Sequence, residues 1–106
     1  MKTSAQRLIM LLGMALSPWA LAHNPICQCE PGTGDEIVCT GGFSDGSGAP
    51  GVTLDVISYD EEVLIPGKLE DDSRFSFKRP DGEFYILFDA GPGHVVEVDH
   101  TDISGL

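Results

Sequence analysis

From residue 24 onward, apolar and polar residues alternate mostly with a period of two, the spacing of half-buried strands and not of amphipathic helices. Val52 to Tyr59 sets Val52, Leu54 and Val56 on one face with Thr53 and Asp55 opposite. Phe75 and Phe77 alternate with Arg74, Ser76 and Lys78. His94 to Asp99 carries Val96 and Val98 on the parity of His94 and His100, with Val95, Glu97 and Asp99 on the other. Strands are also predicted over Ile26 to Glu30, Glu36 to Phe43, Glu62 to Ile65 and Phe84 to Phe88, the phenylalanines being core candidates. Pro31-Gly32-Thr33-Gly34-Asp35 and Pro80-Asp81-Gly82 supply reversals between them. The stretch from Phe43 to Gly51 is too rich in glycine for a strand and reads as an exposed connection. Seven short strands predict an all-β fold, a small two-sheet sandwich.

The first 22 residues follow a different pattern. Lys2 and Arg7 precede the apolar run Leu8 to Leu16, and Ala20-Leu21-Ala22 forms a small-residue cleavage site, the three parts of a secretory signal peptide. Residues 1–22 are therefore expected to be removed, leaving residues 23–106 as a single β-sandwich domain, periplasmic or secreted. No later apolar run approaches the roughly 20 residues that span a bilayer, so no membrane insertion is expected after cleavage. Lys2 and Arg7 leave with the signal; Lys68, Arg74, Lys78 and Arg79 then face 17 acids, and 4 minus 17 gives a net charge of −13. That charge makes nucleic acid and anionic lipid poor partners.

Two blocks, FSDGSGAPGVTLDVISYD and DDSRFSFKRPDGEFYILFDAGPGH, combine a glycine-rich link, an alternating strand, a Phe-x-Phe strand and an Ala-Gly-x-Gly-His corner. Together they resemble the periplasmic accessory domain of nickel/cobalt transporters of the energy-coupling-factor type. More distantly they resemble the carboxypeptidase regulatory-like, transthyretin-type sandwiches, in the same broad class as Ig-like folds. The resemblance spans residues 40–100, with Ser73 standing where such domains often place glycine. It implies an accessory module that binds nickel or cobalt and serves a metal transporter of the inner or outer membrane.

Three cysteines in an exported chain leave one over if two pair. A first hairpin centred on Thr33 sets Cys27 opposite Cys39; one centred on Gly34 sets Cys29 there instead. Either bridge closes a short loop and stabilises the domain by about 2 to 3 kcal/mol. Kept reduced, Cys27, Cys29 and Cys39 are a soft ligand set that selects copper(I) or zinc.

Cleavage after Ala22 would give His23 a free α-amine, and amine and imidazole can chelate one ion through a six-membered ring. Pro25 removes the backbone amide that a copper or nickel site would otherwise recruit. His94 follows Gly91-Pro92-Gly93, a corner that aims its side chain at a loop end, as a ligand or as a strut across the corner. His100 is expected to be solvent-exposed. The candidate metal ligands are thus His23, His94, Cys27, Cys29 and Cys39, for nickel, cobalt or copper. Gly42 to Gly46 matches G-x-S-x-G and Gly46 to Gly51 matches G-x-G-x-x-G, but each motif works only where a strand turns into a helix. No constellation for catalysis remains, and a binding module is expected, not an enzyme. The alternative is a disulfide-stapled interaction module of the cell envelope that binds no metal.

Overall fold

The computed structural model describes residues 23–106, so the expected signal peptide lies outside the described residues. Seven strands follow one another: β1 (Pro25–Pro31), β2 (Glu36–Phe43), β3 (Thr53–Ser58), β4 (Val63–Ile65), β5 (Arg74–Lys78), β6 (Phe84–Asp89) and β7 (Val95–Asp99). A short 3-10 turn, His100–Asp102, ends the regular structure. All strand pairing is antiparallel, in a three-stranded sheet ordered β1-β2-β5 and a four-stranded sheet ordered β4-β3-β6-β7. The chain therefore passes from one sheet to the other between β2 and β3, between β4 and β5, and between β5 and β6. This is the expected all-β sandwich.

Period-two patterning does what physical chemistry asks of it. Phe84, Ile86 and Phe88 of β6 are fully buried, as are Leu54 and Val56 of β3, and Ile37 and Cys39 of β2 meet them from the other sheet. Phe77 is buried edge-on to Phe84, with ring centroids 6.5 Å apart, and Phe75 stacks beside it at the margin of the core. Leu69 and Ile103 belong to the same core.

Gly34 decides the register of the first hairpin. Its φ of +64° lies in the left-handed region, which a hairpin turn needs and glycine adopts without a Cβ penalty. The Glu36 N–H donates to the Thr33 carbonyl at 3.1 Å to close the turn. The strands then pair about Gly34, with Pro31 opposite Ile37 and Cys29 opposite Cys39.

Two local expectations are corrected. The glycine-rich connection is not wholly exposed: Ala49 is buried, its N–H donating to Ser73 Oγ at 2.9 Å, while Gly42 bridges to Gly48. Ser73 itself sits at φ +64° and is buried. His100 is not solvent-exposed. Asp99 caps the 3-10 turn by accepting from the Thr101 N–H, and this folds the His100 ring between Phe84 and Tyr59, with centroids at 5.3 and 5.8 Å.

Candidate functional site

The corner before β7 is built from backbone. Gly91 and Gly93 take φ values of +112° and +77°, and the turn is closed twice, by the Ala90 N–H to the His94 carbonyl and the His94 N–H to the Gly91 carbonyl, both 2.9 Å. The Asp89 carboxylate accepts from the Gly91 N–H at 2.9 Å. Nδ1 of His94 lies 3.1 Å from the Pro92 carbonyl oxygen. A carbonyl can only accept, so Nδ1 carries the proton and the lone pair of the neutral ring is on Nε2. This is the arrangement in which a backbone partner fixes the tautomer and orients an imidazole ligand.

His23 is held from the glycine-rich link. Its Nδ1 is 3.1 Å from Asp45 Oδ2, and next to it the Asn24 N–H donates to Ser44 Oγ while the Ser44 N–H donates to the Asn24 carbonyl. Asp45 is fixed in turn by Ser47, whose hydroxyl and amide both donate to Oδ1, at 2.6 and 3.0 Å. Those hydrogen bonds, with a smaller contribution from the charge of His23, hold the Asp45 carboxyl below the usual carboxylate range.

His23 and His94, 71 positions apart in sequence, line one open hollow of about 400 Å³ together with Phe43, Ser47 and Ala90. The two expected histidine residues thus border the same hollow, one held by the link and one by the glycine corner. Asp45 and Ser47 were not expected in this role. The spacing Asp-x-Ser is a signal for a local turn, but nothing local to it points to His23.

The cysteines lie elsewhere. Cys29 and Cys39 form a disulfide, so they are not the thiolates of a three-cysteine cluster, and Cys27 is the free thiol. Burial pushes the Cys27 thiol up to about 11. Cys27 and Cys29 line a separate groove of about 850 Å³ with Val96 and Val98 of β7. Among the described residues no three His, Cys, Asp or Glu side chains are grouped so as to hold a metal ion. His100 is also apart from the hollow, its Nε2 buried without a hydrogen-bond partner and 4.0 Å from Glu83. Compared with protein-family models, with curated proteins and with solved structures, the chain matches none.

Proposed function

We propose that this domain is an exported transition-metal-binding module that holds a divalent ion between His23 and His94 on behalf of a metal transporter of the cell envelope. The observation that carries the reading is the shared hollow, lined by both histidine residues. The two side chains supply two donors, and cleavage after Ala22 would add the His23 α-amine as a third, the chelate with Nδ1 requiring that the ion displace the Asp45 contact at that atom. The donor set is then nitrogen, with the Asp45 carboxylate beside it. Nitrogen and oxygen donors suit nickel(II), cobalt(II) or copper(II), whereas copper(I) prefers sulfur. The sulfurs do not compete, since two are tied in a disulfide and the third is a half-buried thiol in another groove.

Calorimetric titration of the protein beginning at His23 with Ni(II), Co(II), Cu(II) and Zn(II) tests this. Micromolar binding at one site is expected, weakened at least tenfold by one extra residue ahead of His23 and again by His94→Ala. Affinity no tighter than about 1 mM for every ion, a free energy near −4 kcal/mol, would end the metal reading. So would tight binding indifferent to both changes.

A further inference from the structure

Strand β1 is the edge of the three-stranded sheet and β7 the edge of the four-stranded one, and the two come into contact along one side of the sandwich. No ladder joins them among the described residues. An edge strand leaves half of its backbone N–H and C=O groups unpaired and open to another strand. Here two such edges border one groove of about 850 Å³.

The side chains of the groove sort by face. Cys27 and Cys29 of β1 and Val96 and Val98 of β7 are half-buried and pack on the core, forming an apolar inner wall. Gln28, Glu30 and Glu97 alternate with them and face solvent. Asp102 completes the rim, and no lysine, arginine or histidine lines the groove. Glu30 has a distant exposed partner in Arg74 at 3.8 Å, whereas Glu97 and Asp102 take part in no ion pair among the described residues. β1 is blunted by Pro25 and Pro31 at its ends, but the five residues of β7, Val95–Asp99, include neither proline nor a cation. Those are the devices that commonly keep an edge closed to strangers.

We propose that this groove binds an extended basic segment of another protein, which adds to the β7 edge as a strand. Alternation dictates the segment's pattern. Its inward side chains lie beside Val96 and Val98 and are apolar; its outward ones lie beside Glu97 and Glu30 and are lysine or arginine. A second copy of this chain does not fit that description, because residues 23–106 carry 17 acids against four lysines and arginines. The groove uses none of the side chains of the His23 and His94 hollow, so its occupation stands or falls separately from metal binding.

The probe is a fluorescent nine-residue peptide alternating lysine and valine, with blocked ends. Two controls accompany it: the glutamate and valine counterpart, and the lysine and valine peptide with alternate amides methylated so that it cannot form a ladder. Micromolar anisotropy binding is expected for the first, at least tenfold weaker for both controls, with slowed amide exchange confined to β1 and β7. Joint replacement Glu97→Lys and Asp102→Lys should weaken binding at least tenfold while the thermal melt stays cooperative. If that double variant does not fold, Glu97→Gln with Asp102→Asn makes the same test. Equal binding by the methylated peptide, protection mapping to other strands, or a peptide-displaced dimer in sedimentation equilibrium would each overturn the proposal.

Discussion

Reducing the Cys29–Cys39 bridge isolates one term in the stability of this domain. The cysteines are ten positions apart and directly opposed across the hairpin. Closing a loop of that length removes unfolded-chain entropy worth about 2.7 kcal/mol at 25 °C. For a domain of this size each kcal/mol moves the melting temperature by about 4 to 8 °C, so a loss of about 15 °C is expected. Circular dichroism melts with and without a phosphine reductant measure it on unchanged side chains. Joint Cys29→Ala and Cys39→Ala should melt lower still, because Cys39 is fully buried and its sulfur packs in the core. Alkylation in denaturant followed by intact mass verifies the state, with one adduct on the oxidised protein and all three cysteines modified after reduction. A Cys27→Ser variant should keep the bridge and melt above the double alanine variant, since Cys27 has no part in the bridge. A reduced protein melting within about 3 °C of the oxidised one would refute the loop-closure account, and loss of the bridge in Cys27→Ser would refute the register.

The half-buried Cys27 thiol, pushed up to about 11, should react with iodoacetamide at pH 8 about a hundredfold more slowly in the native protein than in guanidinium, followed by mass spectrometry. Ser73→Gly should destabilise by about 1 kcal/mol in denaturant melts: it relieves the positive φ but strands the buried Ala49 N–H, and that loss is the larger. Asp99 is held down to about 2 by its hydrogen bonds from Thr101 and Tyr59, so the stability it contributes is present above the ordinary carboxylate value and is lost as pH falls from about 4 toward 2; an acid melt in which Asp99→Asn retains the native slope would contradict this. The same contact raises Tyr59 to about 12, and its stabilisation is complete below the ordinary tyrosine value near 10 and lost as pH rises through 12. Absorbance at alkaline pH in a Tyr85→Phe background should show this transition falling toward 10 in Asp99→Asn.

Period-two patterning made the strands legible, since β2, β3 and β6 bury the side chains that alternation assigns to one face. Their order was not legible, because nothing local to Thr53–Ser58 says that its neighbour is Phe84–Asp89 and not Arg74–Lys78. The hairpin was readable to within one residue. Choosing between Thr33 and Gly34 as its centre needed the left-handed φ of Gly34, a backbone property that composition only permits. Burial of Ala49 depends on a hydroxyl 24 positions away, and no window around a glycine-rich link contains it. For His100 the sequence does hold a signal, the Asp99-x-Thr101 cap that starts a new turn. Of the candidate site, both histidines were visible as residue types beside an expected cleavage point and a glycine corner. The anchor Asp45–Ser47 was not, because its role exists only once the link folds back over His23.

The threefold exchange between sheets also shapes how the polypeptide is born. When a ribosome has released the chain as far as Ile65, β1 to β4 have emerged, but Phe77 of β5 and Phe84, Ile86 and Phe88 of β6, which complete the core between the sheets, have not. Leu54 waits for Phe88 and Val56 for Ile86, and Ile37 waits for Phe77. Until those late arrivals emerge the core stays open, and long-range pairing of this kind is slow and exposed to aggregation.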